Sequence, residues 1–154
     1  MVRLIVFDLD LTLWHCRPLL WCDQLTPPIR RQGHRVEASC GTRVRLYDEV
    51  PELLAELADD AYLLALASRT SAPAIARELL THFDIARHFA HEEIYPGDKK
   101  RHFHALHQAT AVPYPEMLFF DDEPRNIESV GELGVDARLV THGLNRSLLA
   151  SALS

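Results

Sequence analysis

Cysteine is scarce in this chain of 154 residues: Cys16, Cys22 and Cys40 are odd in number and show no Cys-x-x-Cys spacing. That leaves no disulfide framework and no cysteine-based zinc or redox motif, so free thiols are expected. Basic residues are outnumbered, 16 against 22 acidic, and the formal net charge is −6. Such a balance opposes binding to a phosphate backbone and argues against nucleic acid as a partner. No apolar run approaches the roughly 18 residues that a membrane span needs. The opening residues, MVRLIVFD, run into an acidic pair without a signal-peptide pattern, and a cytoplasmic protein is expected. Internal repeats, low-complexity tracts and interdomain linkers are missing too. With 47% hydrophobic and 25% charged residues, residues 1–154 read as one soluble globular domain.

What is present is an alternation. Short apolar runs at 3–8 (RLIVFD), 61–68 (AYLLALAS), 92–95 (EEIY), 117–122 (MLFFDD) and 137–141 (ARLVT) have strand length and the composition of a parallel sheet buried on both faces. Amphipathic segments lie between them. Residues 50–60 place Leu53, Leu54 and Leu57 on one helical face, and residues 72–83 form a helix with Ser71 as its expected N-cap and Pro73 in its first turn. A third helix, about 100–110, follows Asp98 as cap; a fourth starts near Pro124 and stops before Gly134; a last one spans RSLLASAL. The pattern predicts an α/β fold, a doubly wound, Rossmann-like parallel sheet flanked by helices. One stretch, about 15–46, breaks the rhythm. Its prolines are followed by two alternating segments around Ser39–Thr42, which predict a small β-hairpin flap inserted after the first strand.

The first strand ends in an anomaly, VFDLDLTLW (6–14). Aspartate is rarely buried unless it is paired or bound to a metal, and two at one strand end also repel each other. In open α/β sheets ligands bind beyond the carboxyl ends of the strands. The residues found there are Asp8 and Asp10, then Ser68, Arg69 and Thr70, then Asp121 and Asp122, with Lys99 and Lys100 at the start of a helix. Four acids with a hydroxyl cluster and one or two cations suit a hard divalent ion holding a phosphate, since magnesium prefers oxygen ligands and is commonly bound by a few carboxylates together with substrate phosphate.

DLDLT (8–12), SRT (68–70), the lysine after YPGD and FFDDE (119–123) resemble, in order, the four motifs of the haloacid dehalogenase-like hydrolase superfamily. FDLDLTLW, ASRTS, EIYPG and FFDDEPRNI are similar to its magnesium-dependent phosphatase group, over a span from about Arg3 to about Thr141. The resemblance implies a Mg2+-dependent phosphomonoester hydrolase. In it Asp8 is the nucleophile that forms an aspartyl-phosphate, and Asp10 protonates the leaving alcohol and then activates water. It also implies magnesium on the Asp8 carboxylate, the Asp10 carbonyl and one acid of the Asp121–Asp122 pair. Asp122 is favoured as direct ligand, with Asp121 behind it or bridged by water. Ser68 and the backbone at Leu9 and Arg69 would hold phosphoryl oxygens, and Lys99 would neutralise charge, with Lys100 as the alternative.

Other readings stay open. Singly, the acids suit turns or the first turn of a helix. The side chain of Arg69 could clamp a second anionic group or lie solvated along the sheet edge. HFHALH lacks the helical i, i+4 zinc spacing, so the face bearing His102, His104 and His107 is expected to be solvated and partly charged. Trp14, Trp21, Tyr47 and the flap prolines could line the entrance or pack the core. A phospho-accepting receiver-type domain carries its acidic pair early, whereas here the pair comes last; a binding module without activity conflicts with a full set of catalytic positions. Dehalogenase chemistry is disfavoured by Asp10, and phosphate transfer to an acceptor other than water remains. The substrate is expected to be a sugar phosphate or another phosphorylated small molecule, or a phosphotyrosine-type phosphoprotein, and the oligomeric state is left open.

Overall fold

A computed structural model describes every residue, Met1–Ser154. In chain order the strands and helices are β1 (Leu4–Phe7), β2 (Trp14–His15), β3 (Arg30–Gln32), β4 (Arg35–Glu37), β5 (Arg43–Leu46), α1 (Val50–Asp59), β6 (Leu63–Ser68) and α2 (Pro73–His82). They continue with β7 (His91–Ile94), α3 (Lys99–Thr110), β8 (Met117–Asp121), α4 (Pro124–Gly131), β9 (Asp136–Leu139) and α5 (Arg146–Leu153). No helix is long and apolar enough to cross a membrane.

The main sheet has the order β7-β6-β1-β8-β9, and every pairing in it is parallel. From β1 the chain builds outward through β6 and β7, then returns to lay β8 against the other side of β1. The strand order therefore reverses between β1 and β8, where such sheets bind their ligands. Alternate residues of each strand serve opposite layers, as a period of two requires. Ile5, Phe7, Leu64, Leu66, Leu118 and Phe120 pack with Leu53, Leu54 and Leu57 of α1, Leu79 and Leu80 of α2 and Leu149 of α5. Leu4, Val6, Ala65, Ala67, Met117 and Phe119 pack with Phe103 and Leu106 of α3 and Val130 of α4. Both faces are covered, which is why these strands read as continuous apolar runs.

The flap is larger than a hairpin. β4 and β5 do pair antiparallel around residues 38–42, but β2 and β3 join them in a four-stranded sheet of order β2-β5-β4-β3. Its inward side chains, among them Trp14, Val36 and Val44, belong to the same apolar cluster as Phe7 and Leu53. Two or three residues per strand are too few to show an alternation in sequence, which is why β2 and β3 were not foreseen.

Two further expectations need correction. Ser71 is not the cap of α2; Ala72 holds that position without a side-chain bond, while the Ser71 hydroxyl donates to Asp23 of the flap at 2.9 Å. The histidine face of α3 is not solvated. His102 is buried with Lys99, Phe103 and Leu106, so this helix turns one lysine and one histidine inward beside its apolar side chains, and of the three histidines His104 alone is exposed. Asp98 does cap α3, accepting from the Lys100 backbone at 2.8 Å.

Candidate active site

Three strand ends and one helix start meet at the switch point. Asp8 follows β1 directly, its N–H still bonded to the Phe120 carbonyl of β8 at 3.0 Å, so the ladder itself fixes where the first carboxylate emerges. Asp121 closes β8 and Asp122 follows it. Oxygen atoms of Asp8, Asp121 and Asp122 lie within 4.8 Å of one another. Lys99 stands at the first position of α3 and is 1% exposed. Its Nζ donates to Asp8 Oδ1 at 2.9 Å and to the Ala67 carbonyl at 2.5 Å, and lies 2.9 Å from Asp121 Oδ2. Lys100 points away and pairs with Glu132 at 2.6 Å on the surface. A single residue of register separates the two lysines, and the cap at Asp98 sets that register.

The electrostatics follow from this crowding. Burial works against the charge on Lys99, but Asp8 and Asp121 outweigh it and hold the ammonium above its ordinary pKa. Burial, with the charge of Asp8, raises Asp121, against the opposing pull of Lys99. Asp122 is pushed up to about 9, first by burial and then by its hydrogen bond to and repulsion from Asp8. With all three carboxylates ionised, one ammonium would leave two negative charges uncompensated; the raised pKa values of Asp121 and Asp122 express that excess, and a divalent cation would balance it. The all-oxygen donor set suits magnesium. Asp121 is fully buried and already engaged by Lys99, the Asn126 amide at 3.0 Å and the Glu123 backbone at 2.8 Å, whereas Asp122 lines the open cleft.

Asp10 is held differently. Its carboxylate accepts from the Trp14 indole at 2.8 Å and from the Cys22 backbone at 3.1 Å. Burial raises its pKa to about 6 against the pull of these donors. Ser68 ends β6, buried, with its hydroxyl toward the cleft and accepting from the Thr70 backbone at 3.3 Å. Arg69 reaches Asn126 Oδ1 at 3.4 Å, and its buried Nε has no partner. The backbone N–H groups of Leu9 and Arg69 find no acceptor within the protein.

The cleft between these groups has a volume of about 240 Å³, and Trp21 is the one hydrophobic residue in a lining that also includes Asp23, Glu123, Arg125 and Asn126. Trp21 is 46% exposed; Trp14 is core, and Tyr47 packs instead on Gly143. A second groove, about 340 Å³, lies between the flap and the end of α2 and contains none of Asp8, Asp10, Asp121 and Asp122. Thr12, which donates to Asp8 Oδ2 at 3.2 Å, and Asn126 were not foreseen as site residues. Thr12 was visible in DLDLT and Asn126 in FFDDEPRNI, but neither declares a partner until the chain is folded.

Acidic loops at the switch point of a five-stranded parallel sheet, crossed by a buried lysine, define the arrangement of a haloacid dehalogenase-like hydrolase. Comparison with known proteins agrees. A family model described as Acid Phosphatase matches residues 1–154. Human magnesium-dependent phosphatase 1 is 44% identical over 153 residues, covering 98% of this chain and 85% of that protein. A HAD-like hydrolase superfamily protein of Schizosaccharomyces pombe is 35% identical over 147 residues, covering 86% and 82%. Among solved structures, a HAD family enzyme of Bacteroides thetaiotaomicron in complex with magnesium and inorganic phosphate superposes with a TM-score of 0.71 at 14% identity, over 97% of this chain and 99% of that one. The chain belongs to the acid phosphatase family, within the magnesium-dependent phosphatase group of the HAD-like hydrolases.

Proposed function

We propose that this phosphatase hydrolyses a phosphomonoester through an aspartyl-phosphate on Asp8. The observation that carries the reading is the buried Lys99 ammonium, 2.9 Å from both Asp8 and Asp121. A fixed cation there offsets the repulsion between a nucleophilic carboxylate and a phosphate dianion. An Asp8 oxygen attacks phosphorus, the bond from phosphorus to the leaving alkoxide breaks, and Asp10 gives its proton to that oxygen. Asp10, now a carboxylate, takes a proton from water as the water oxygen attacks phosphorus, releasing Asp8 and inorganic phosphate. The backbone N–H groups of Leu9 and Arg69, with the Ser68 hydroxyl, are the donors for the phosphoryl oxygens. When bound, magnesium supplies positive charge to the phosphoryl oxygens; Asp8, Asp122 and the Asp10 carbonyl would hold it, with Asp121 orienting Lys99 and Asn126 behind them.

The cleft favours a phosphorylated polyol such as a sugar phosphate. Its lining offers acceptors at Asp23 and Glu123, donors at Arg69, Arg125 and Asn126, and one exposed indole against which a sugar face can stack. Phosphotyrosine, whose ring calls for apolar walls, is the second candidate, and phosphate transfer to a hydroxyl acceptor would use the same intermediate. A reducing compartment, the cytoplasm, suits three cysteines that are all free.

Purified protein is expected to hydrolyse p-nitrophenyl phosphate with magnesium and to fall silent in excess EDTA. Asp8→Asn is expected to abolish turnover while the protein remains folded. A panel of sugar phosphates and phosphotyrosine peptides ranked by kcat/KM decides the substrate. Trp21→Ala is expected to raise KM for sugar phosphates and leave p-nitrophenyl phosphate little changed, and a panel led by phosphotyrosine peptides would reverse the preference.

A further inference from the structure

Helix α3 carries a buried histidine that no step of this reaction uses. His102 is 0% exposed, and its ring lies flat against Tyr95, with centroids 4.3 Å apart and planes 10° from parallel. Both ring nitrogens face main-chain carbonyl oxygens. Nε2 lies 3.0 Å from Ser68 O and 2.8 Å from Tyr95 O, and Nδ1 lies 3.1 Å from Asp98 O. Ser68 ends β6, Tyr95 follows β7, and Asp98 caps the helix that begins with Lys99. One imidazole thus touches the segment that presents the cleft hydroxyl and the segment that presents the buried cation.

An apolar side chain of equal volume would fill this space without the cost of burying two ring nitrogens. It would not serve Tyr95 O, which finds no donor other than His102; the Tyr95 N–H is itself spent on Ser68 O at 3.0 Å. Burial lowers the pKa of His102 below the ordinary histidine value, against the pull of the surrounding carbonyls. Burial thus favours the neutral ring, which has a single N–H to give. On Nε2 that proton reaches two carbonyls at once; on Nδ1 it reaches one, already bonded to the Arg101 N–H at 2.9 Å.

We propose that His102 is a positioning residue for phosphoryl transfer, whose Nε2–H ties the ends of β6 and β7 to the start of α3 and so keeps Ser68 and Arg69 in register with Lys99 and Asp8. The proposal rests on the phosphatase reading above. A shift of about 1 Å at such a site is enough to cost roughly a hundredfold in rate.

The test compares His102→Phe, His102→Gln and the surface control His104→Phe in the full chain with magnesium. Turnover of p-nitrophenyl phosphate, affinity for inorganic phosphate and thermal melting are measured for each. His102→Phe is expected to lower kcat about a hundredfold and to weaken phosphate binding at temperatures well below its melting point. His102→Gln, which restores an N–H donor, is expected to recover most of both, and His104→Phe to behave as wild type. A His102→Phe protein that melts earlier but keeps kcat within about twofold overturns the proposal, as does a folded His102→Gln no better than His102→Phe. Should His102→Phe fail to fold, nitrogen NMR of the wild-type ring still decides: a ring protonated at Nε2 supports the proposal, and a ring protonated at Nδ1 alone sinks it. Wild-type protein silent on phosphate esters would instead remove the phosphatase reading, while the ring tautomer and phosphate binding would still be measurable.

Discussion

The parallel body and the antiparallel flap divide the chemistry between them. Every charged group in the buried cluster, Asp8, Lys99, Asp121 and Asp122, comes from the body, at the ends of β1 and β8 and the start of α3. The segment that carries the flap contributes the surroundings: the Trp14 indole and Cys22 N–H on Asp10, and Trp21 and Asp23 in the lining. Formal charge is divided as unevenly. Residues 15–46 hold six arginines (Arg17, Arg30, Arg31, Arg35, Arg43, Arg45) and two acids (Asp23, Glu37), while ten basic and twenty acidic residues lie outside. The difference teaches that a sheet buried on both faces can hold opposed charges rigidly, Lys99 standing 2.9 Å from both Asp8 and Asp121, because its backbone has no freedom left to separate them. A short sheet with one face in water is suited to neutral donors and to side chains that line the cleft.

The largest effect is expected from breaking the body's ion pairs. Lys99→Met leaves Asp8 and Asp121 buried without their cation; turnover should fall by at least about 10²–10³-fold. Metal-free protein should also lose roughly 3–5 kcal/mol of stability in chemical denaturation. If Lys99→Met kept wild-type turnover, charge placement by the body would not be what matters. Next comes the flap's hold on Asp10. Trp14→Phe removes a bond to a carboxylate worth about 1.5–3 kcal/mol, so rates on esters with poor leaving groups should fall roughly 10–100-fold, more than those on p-nitrophenyl phosphate. Equal losses on both would remove Asp10 from the leaving-group step.

Smaller still is the seam between the two regions, where Tyr47 lies on Gly143. A β-carbon at 143 would sit 2.3 Å from the Tyr47 ring, and the glycine has φ of +76°. Gly143→Ala should therefore cost about 1–3 kcal/mol of stability, read as a lower melting temperature, with kcat per folded molecule unchanged. The smallest effect is expected from Lys100→Ala. It removes only an exposed, solvent-screened pair with Glu132, so melting temperature and turnover should both stay at the wild-type values. The contrast with Lys99→Met, one residue away, measures how much of a lysine's contribution is burial.

The body was legible because its apolar runs are long enough to show their period. Strands at 3–8, 61–68, 92–95, 117–122 and 137–141 were expected, and β1, β6, β7, β8 and β9 occupy them to within two residues at either end. The hairpin at 38–42 was legible from its turn. β2 and β3 were not, since pairs and triplets of residues carry no pattern; nor was the burial of His102, because HFHALH looks polar to any reading that cannot see Tyr95 and Ser68 beside it.

The residues by themselves determined the strand and helix types, the placement of acids, hydroxyl and lysine at strand ends, and the motif order that marks the family, because these depend on local periodicity and spacing. Only tertiary structure decided which lysine turns inward, that Asp121 is consumed by hydrogen bonds while Asp122 faces the cleft, that Trp14 rather than solvent meets Asp10, and that one buried histidine lies among three carbonyls. Some of these contacts join segments far apart in the chain, Lys99 with Asp8 and His102 with Ser68, and exist only once the sheet has brought those segments to a common edge. Others, such as Trp14 with Asp10, are close in sequence but need the folded loop to set their geometry.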